Sequence, residues 1–369
     1  MNTVKDTYIL YVGTYTEMID ENFGGHGAGI NCFEFNASTG ELKLLNQTFQ
    51  INPSYLTVFN LNNTSETNAA EPCLVAVAEV VASKKPALYF YSIHQDHSLH
   101  ASYTASINGG CPCQLTFFKS NEGDAFIAIA CYETGNIIVY DVHAKMEPIS
   151  IQHSGHSQHP ARQTAAHAHC VCFDAATNKL LVADLGLDQV VVYSIQNNKG
   201  KIEATEIQIM HTPAGSGPRH ICFDRNQHFG FILNELNGTI CLIIHEQDQY
   251  LIKDIFPNNA PNSTNVDRGA AAIRASANGK FVYTSIRSNN TISLYALDPI
   301  KASLDFIEAY PTGGDTPRDF TLDPTGNWLL VGHQYSDTIS IFNVNSYNGK
   351  LSLFKIVENI NSPVSFSWA

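Results

Sequence analysis

The fold is decided by a pattern that is clearest at residues 280–295, KFVYTSIRSNNTISLY. A short apolar run is followed by a polar turn and then by an alternating run that ends in an aromatic residue. Alternation with a period of two residues, bounded by turn residues, is typical of paired β-strands. The same pattern recurs at residues 126–140 (FIAIACYETGNIIVY), 179–193 (KLLVADLGLDQVVVY), 229–243 (FGFILNELNGTICLI) and 327–342 (NWLLVGHQYSDTISIF), with weaker copies at 8–35 and 73–93.

A second element precedes each of these copies except the first and also ends the chain. It reads Pro-x-x-apolar at residues 53–56, 112–115, 218–221, 317–320 and 363–366, with related forms that lack the proline at 168–171 and 271–274. Successive units are about 50 residues apart, which leaves room for four short strands in each. No segment carries a long 3.6-residue apolar period, so helix content should be low. The sequence therefore predicts an all-β fold, a seven-bladed β-propeller.

The two ends of the chain predict how the ring closes. The chain begins with a strand of the second kind and ends with an unpaired strand of the first kind, at residues 363–366. Because a propeller must cover its first and last strand edges, the C-terminal strand should complete the first blade. Residues 1–369 would then form one domain. Two β-sandwich domains are the alternative, but equal units leave no linker or composition shift for a boundary.

Composition limits the possible partners and the compartment. The chain has 369 residues, of which 44% are hydrophobic, and carries 34 acidic against 21 basic residues, a formal net charge of −13. Nucleic acid and anionic membranes both require a broad basic face, so we expect neither as a partner. The first residues lack the pattern of a signal peptide, and no apolar run reaches the roughly 18 residues of a membrane helix. We therefore expect a cytoplasmic protein.

Cysteine and histidine give no sign of a metal or cofactor. The two C-x-C pairs, Cys111/Cys113 and Cys170/Cys172, lack the spacing of zinc or redox motifs, so the nine cysteines should be reduced thiols. Histidines 153, 156 and 159 lie in one loop stretch, where metal binding is the less favoured interpretation. No phosphate-binding glycine loop and no nucleophile elbow is present. We expect an enzyme without metal or cofactor.

The repeat places a set of polar residues on one rim of the channel. In each blade the innermost strand, which carries the Pro-x-x-apolar element, starts at one face of the disc, and the second strand returns to that face. The starts of the innermost strands and the ends of the second strands therefore share one rim around the central channel. These positions hold His167, His169, Arg219, His220, Arg318 and Asp319 from strand starts, and Glu79, Tyr132, Asp184, Glu235, Arg287, His333 and Gln334 from strand ends. A carboxylate near histidines and arginines can perform general acid–base chemistry. Glu235 is the leading candidate base, followed by His169 and His167, with Arg219 beside them.

Arginine is rare in this chain and is concentrated at the predicted rim. Its seven arginines all follow residue 161, and Arg219, Arg287 and Arg318 map onto the rim, with Arg268 and Arg274 near an inner strand. Guanidinium groups pair bidentately with carboxylate or phosphate, so we predict a site for an anionic substrate. Its predicted substrate-binding residues are Arg274, Arg287, Arg318, His220, His333 and Asp184. The alternative is that the arginines form structural ion pairs with Asp184, Glu235 and Asp319.

Taken together, these motifs resemble the bacterial seven-bladed lactonase family, which includes propeller-type 6-phosphogluconolactonases and fungal carboxy-cis,cis-muconate cyclases. The resemblance covers essentially the whole chain and rests on Gln163…His167-Ala168-His169, Val182-Ala183-Asp184-Leu185-Gly186, Gly217-Pro218-Arg219-His220, Asn234-Glu235-Leu236, Ile273-Arg274-Ala275-Ser276 and Pro317-Arg318-Asp319-Phe320. It implies a cytosolic, metal-free enzyme that acts on a small lactone or its open acid. It also implies catalytic roles for His167 or His169, Glu235, Arg219, and Arg274 or Arg287.

Three functions follow as hypotheses. The first is a lactonase for a small anionic sugar-acid lactone, with 6-phosphogluconolactone as the leading substrate; Glu235 or a rim histidine would activate water and arginines would stabilise the oxyanion. The second is a cycloisomerase that opens or closes the lactone of a tricarboxylate by proton transfer. The third is a non-catalytic interaction propeller, which an apolar rim and outward-facing arginines would favour.

Overall fold

Each sequence unit of about 50 residues folds into a four-stranded antiparallel sheet in the computed structural model, which describes residues 6–60, 72–143, 145–258 and 269–369. These residues form 28 strands in seven sheets and one short 3₁₀ helix, Ala82–Lys84. The all-β prediction and the blade count of seven are both confirmed. Across the same ranges, no helix has the length and apolar character that crossing a membrane requires.

The strands are numbered along the chain and grouped by blade. Blade 1 contains β1 (Thr7–Thr14), β2 (Ile30–Asn36), β3 (Glu41–Thr48) and the C-terminal β28 (Pro363–Trp368); blade 2 contains β4 (Leu56–Asn60), β5 (Pro72–Val77), β6 (Ala87–Ile93) and β7 (Leu99–Ser106). Blade 3 contains β8 (Pro112–Lys119), β9 (Ala125–Cys131), β10 (Asn136–Asp141) and β11 (Ile149–Gln152); blade 4 contains β12 (Ala168–Asp174), β13 (Lys179–Asp184), β14 (Gln189–Asn198) and β15 (Lys201–His211). Blade 5 contains β16 (Pro218–Phe223), β17 (Phe229–Asn234), β18 (Thr239–Glu246) and β19 (Gln249–Pro257); blade 6 contains β20 (Ala270–Ala275), β21 (Phe281–Ile286), β22 (Thr291–Asp298) and β23 (Ser303–Pro311). Blade 7 contains β24 (Pro317–Leu322), β25 (Trp328–His333), β26 (Thr338–Val344) and β27 (Leu351–Glu358).

The C-terminal strand closes the ring in blade 1, as the sequence predicts. Strand β28 pairs antiparallel with β1, from Leu10 opposite Trp368 to Thr14 opposite Pro363. It thereby becomes the innermost strand of that blade and lies beside the inner strands of blades 2 and 7. Strand edges that would otherwise stay open at both chain ends are covered in this way.

The hydrophobic core is divided among the seven interfaces between neighbouring blades. Seven clusters of buried side chains occur, each drawn mainly from two adjacent blades. The second strand of a blade lies in the middle of this packing, and every residue of β9 is buried. The outermost strand has one face in solvent, so β15 alternates between buried and exposed residues. The packing of inner and middle strands against the neighbouring blades therefore stabilises the ring.

Tight turns join the second and third strands and keep both at the channel mouth. The turn residue has a positive φ at Gly135, Asp188, Gly238, Asn290 and Asp337. Glycine, asparagine and aspartate tolerate this left-handed region better than other residues do. The glycine, asparagine or aspartate at this turn position therefore suits the left-handed backbone conformation found there.

Candidate active site

A cavity of about 570 Å³ lies at the mouth of the channel where the inner strands begin. Inner strands, the ends of second strands and two connecting loops all contribute to it. Its lining comprises Asp20, Phe23, Glu79, Cys113, Tyr132, His159, Arg162, His169, Glu235, Leu236, Gly269, Arg287 and Arg318. This volume is in the range of small-molecule binding sites.

Inner strands reach the cavity through an irregularity in their pairing. In five blades the register with the second strand skips the second residue of the inner strand; this residue is Val364 in blade 1, and in the other four blades it is Cys113, His169, Arg219 or Arg318. Such bulges release a residue from the ladder and re-aim its side chain. Three of these four residues line the cavity, and the fourth, Arg219, contacts the Glu235 carboxylate.

The ends of the second strands supply the other polar groups. Tyr132, Glu235 and Arg287 directly follow β9, β17 and β21, and Glu79 lies two residues beyond β5. Each of them donates its backbone N–H to a carbonyl that precedes the inner strand of the same blade, at distances of 2.7–3.0 Å. This repeated hydrogen bond fixes the backbone of each residue at the mouth, so the repeat itself brings them together.

Glu235 is held by three arginines. Its Oε1 accepts a hydrogen bond from Nη2 of Arg162 at 2.9 Å, and its Oε2 lies 2.9 Å from Nε of Arg219 and 3.1 Å from Nη2 of Arg287. Burial raises the pKa of this carboxyl, but the three guanidinium groups outweigh burial and hold it well below its usual range. Both oxygens of Glu235 are therefore occupied by cations, and its affinity for a proton is low.

Glu79 is the second buried carboxylate in the cavity, and it has different partners. Its Oε2 accepts a hydrogen bond from the Tyr15 hydroxyl at 2.6 Å, while Nη2 of Arg318 lies 3.9 Å away. The same Arg318 nitrogen donates to the Tyr15 oxygen at 2.6 Å. The Arg318 guanidinium also lies over the rings of Tyr15 and Phe23, 5.1 and 4.9 Å from their centroids. These contacts fix Arg318 and Tyr15 beside the Glu79 carboxylate.

The predicted histidines lie at different depths. Burial and the charges of Arg219 and Arg318 lower the pKa of His169 well below its usual value, so its imidazole is neutral at physiological pH. His220 lies behind it, with Nε2 3.0 Å from Nη1 of Arg219, and burial lowers its pKa in the same way. His167 stacks on Tyr132 outside the cavity lining, and its Nδ1 is 2.8 Å from the Tyr132 carbonyl oxygen.

Besides His220, three of the predicted substrate-binding residues do not reach the cavity. Asp184 is fully buried, where its carboxylate accepts hydrogen bonds from backbone N–H groups and contacts His153 at 2.8 Å. His333 is also enclosed, with Nδ1 3.0 Å from the Thr338 hydroxyl. Arg274 forms an ion pair with Asp319 at 2.8 Å along the channel wall. Arg268 lies outside the described residues.

The structure adds one arginine that the sequence analysis left unassigned. Arg162 lies in the loop between β11 and β12, and its guanidinium donates to the Tyr132 hydroxyl at 3.1 Å as well as to Glu235. Its side chain is 41% exposed, against 3% for Arg219, so it presents the most accessible positive charge of the Glu235 cluster. The sequence signal that could have indicated this role is the position of Arg162 between an outer strand and the next inner strand, because loops of this kind cross the mouth of the channel.

Two other features carry no comparable chemistry. A larger groove of about 940 Å³ lies on the outer strands of blades 4 to 6 and is lined by side chains such as Lys179, Gln208 and Ile300. It contains no converging set of buried charges. Within the described ranges, no group of three or more His, Cys, Asp or Glu residues is arranged to hold a metal ion.

Comparison with known proteins agrees with this geometry. Residues 9–368 match the family described as "Lactonase, 7-bladed beta-propeller". The chain is 25% identical over 363 residues to the 6-phosphogluconolactonase of Bacillus subtilis, covering 97% of each chain. It is 26% identical over 349 residues to that of Formosa agariphila, covering 93% and 94%. A solved structure from Bacteroides fragilis has a TM-score of 0.86 at 26% identity, with coverage of 100% and 99%. The periplasmic gluconolactonase of Pseudomonas aeruginosa has a TM-score of 0.83 at 26% identity, with coverage of 98% and 99%.

Proposed function

This chain belongs to the seven-bladed β-propeller lactonase family, and within it we propose that the protein hydrolyses the lactone of a small anionic sugar acid. The leading substrate is 6-phosphogluconolactone, the compound implied by the names of two relatives. The observation that carries the proposal is the charge of the cavity. Arg162, Arg219, Arg287 and Arg318 lie in or against it, whereas the buried carboxylates there are Glu79 and Glu235.

The surplus of guanidinium groups favours an anionic ligand. Each carboxylate balances one positive charge, so the four arginines and two glutamates keep a surplus of two before the exposed Asp20 at the entrance is counted. Guanidinium forks bind phosphate and carboxylate bidentately. Arg162 is the most exposed of the cluster and is positioned to accept the charged end of a substrate. A non-catalytic interaction propeller is less favoured, because arginines that face outwards would support it and these arginines face the channel.

The same cluster supports the chemistry of ester cleavage. Attack of water on a lactone carbonyl places negative charge on the carbonyl oxygen, and fixed cations in a cavity with little water stabilise that charge strongly. Glu235 holds the guanidinium groups of Arg162, Arg219 and Arg287 in one place, so they need no reorganisation when the charge develops. We assign to Glu235 this positioning of the arginines. The leading expectation from sequence, that Glu235 is the base, is less favoured because its oxygens are already occupied.

A lactone panel tests the proposal. Acid release should be followed for 6-phosphoglucono-δ-lactone and for glucono-δ-lactone, since relatives named for each type of substrate occur among the similar proteins. We expect kcat/KM to be at least about tenfold higher for the phosphorylated lactone, the effect of one charge-assisted hydrogen bond. Equal efficiency on both lactones would contradict the anionic substrate. Absence of turnover on every lactone would contradict the hydrolase.

A further inference from the structure

We infer that Glu79 is the general base that activates the hydrolytic water, and that Tyr15 positions it. This inference rests on the proposed lactone hydrolysis. It starts from the difference between the two buried carboxylates that line the cavity, each with a side chain 5% exposed. A general base needs a free lone pair within reach of the water and an appreciable affinity for its proton. The two glutamates differ in the first respect.

Glu235 lacks the free lone pair. Arg162 occupies one of its oxygens at 2.9 Å, while Arg219 and Arg287 occupy the other at 2.9 and 3.1 Å. Protonation of this carboxylate would remove the counter-charge of three guanidinium groups at once. The geometry therefore makes Glu235 a permanent anion that organises cations.

Glu79 keeps one oxygen available. Its only contact with a cation among the described residues is the 3.9 Å approach of Arg318 to Oε2, which also receives the Tyr15 hydroxyl at 2.6 Å. No lysine, arginine or histidine nitrogen in the described ranges lies within 4.0 Å of Oε1. The carboxylate thus presents Oε1 as an acceptor while Oε2 is anchored.

The backbone and the neighbouring ring hold Glu79 in place. Asn52 accepts the backbone N–H of Glu79 at 3.0 Å and donates its side-chain N–H to the Glu79 carbonyl at 3.0 Å. Tyr15 is fully buried, and burial raises the pKa of its hydroxyl well above the usual value, so it stays a hydrogen-bond donor. Tyr15 therefore acts through Glu79 and not on the substrate.

The histidines are less suited to the role. The ring of His169 lies 3.8 Å from the Cys113 sulfur through Nδ1, and burial among arginines disfavours its protonated form. His167 stacks on Tyr132, directs Nδ1 to a carbonyl oxygen and does not line the cavity. Of the two buried carboxylates that line the cavity, Glu79 is the one whose Oε1 has no cationic partner among the described residues.

The resulting step balances without a cofactor. Glu79 takes a proton from water as the water oxygen bonds to the lactone carbonyl carbon, and the carbonyl electron pair moves to its oxygen beside the guanidinium groups. Collapse of this intermediate breaks the bond to the ring oxygen. That oxygen leaves with the proton from Glu79, which gives the open hydroxy acid and restores the carboxylate.

Variants at the two glutamates test the assignment by separating kcat from KM. Wild-type turnover of 6-phosphoglucono-δ-lactone is measured first, and its absence would refute the proposed function and this inference with it. In an active protein, Glu79→Gln should lower kcat by about 10²- to 10⁴-fold with KM within about threefold of wild type. Glu235→Gln should raise KM in addition to any loss of kcat, because the arginines that bind the substrate anion and stabilise the oxyanion lose their common partner. Glu133→Gln is the control, since Glu133 is an exposed carboxylate near the same mouth and outside the lining.

Chemical rescue distinguishes a base from a structural residue. Sodium formate supplies a small carboxylate that fits the space left in Glu79→Ala, so it should restore kcat by about tenfold or more, and it should not rescue Glu235→Ala. Tyr15→Phe should lower kcat by about tenfold, the equivalent of one hydrogen bond, with KM unchanged. Near wild-type kcat in Glu79→Gln would overturn the inference. An inactive Glu79→Ala that formate does not rescue would overturn it as well.

Discussion

Replacement of Arg162 by methionine should separate binding of the substrate anion from stability of the fold. Methionine keeps most of the length of the side chain and removes its charge. The guanidinium of Arg162 contacts Glu235 at 2.9 Å and the Tyr132 hydroxyl at 3.1 Å, and its side chain is 41% exposed in the cavity. It comes from a connecting loop, so no strand pairing depends on it. We expect the variant to fold normally and to lose efficiency on anionic lactones.

The structure gives the size of both effects. A hydrogen bond to a charged group contributes about 1.5–3 kcal/mol, which corresponds to a loss of about 10- to 150-fold in kcat/KM for the phosphorylated lactone. The free energy of unfolding should change by less than about 1 kcal/mol, because the Arg162 end of the ion pair is 41% exposed to solvent. Glu235 also keeps Arg219 and Arg287 as partners in the variant.

The assay compares two lactones in two variants. Acid release from 6-phosphoglucono-δ-lactone and glucono-δ-lactone is measured for Arg162→Met and for Arg225→Met. Arg225 is an exposed arginine in the turn between β16 and β17, at the opposite face, so its loss changes the net charge by the same amount. We expect a selective loss on the phosphorylated lactone in Arg162→Met alone. An equal loss on both lactones, or no loss on either, would refute the role of Arg162 as an anion contact.

Three further results are expected. Deletion of residues 363–369 removes β28 and exposes the edge of β1, so the soluble yield should fall sharply; a soluble truncated protein that melts like the full chain would contradict ring closure as a requirement for folding. Burial lowers the pKa of His169 and His220 well below the usual value and that of His333 to about 4, so the unfolded chain binds more protons below about pH 6.5. The free energy of unfolding should then decrease as pH falls from about 6.5 towards 4, by up to about 1.4 kcal/mol per pH unit and histidine, and urea midpoints that do not change between about pH 7.5 and 5.5 would argue against neutral buried histidines. Turnover should survive exhaustive EDTA treatment, because the proposed chemistry uses arginine and carboxylate groups; a loss that zinc or calcium reverses would contradict it.

The sequence predicts those residues of the candidate site that occupy repeated positions in the blades. Glu235, Arg287, His169 and Arg318 occupy equivalent strand-end positions in successive blades, and the ring brings these positions to one mouth. The same argument predicts Asp184 and His333 at this mouth, but their side chains are buried and do not line the cavity. Those two residues end their strands inside the ladder, where backbone N–H groups bind the Asp184 carboxylate and the Thr338 hydroxyl contacts Nδ1 of His333.

The periodicity of the sequence does not predict where loop residues lie in the structure. Arg162 and Phe23 lie in long connections whose course depends on the blades they cross, and both reach groups far away in the sequence. The register shifts at the start of the inner strands were also invisible in the sequence. A Pro-x-x-apolar motif shows where the strand begins, whereas the skipped pairing decides that its second residue turns towards the channel.

The sequence alone determined the seven blades, the closure of the ring by residues 363–368 and the rim positions of the main polar residues. These follow from alternation and turn chemistry, which act over a few neighbouring residues and repeat along the chain. Only the tertiary structure decided that three arginines enclose Glu235, whereas Oε1 of Glu79 has no cation within 4.0 Å among the described residues. Those contacts join side chains from different blades across the channel, and the ionic partners of a buried carboxylate set its proton affinity. The packing of the whole ring determines which side chains become partners, so a pattern in a short stretch of sequence does not predict them.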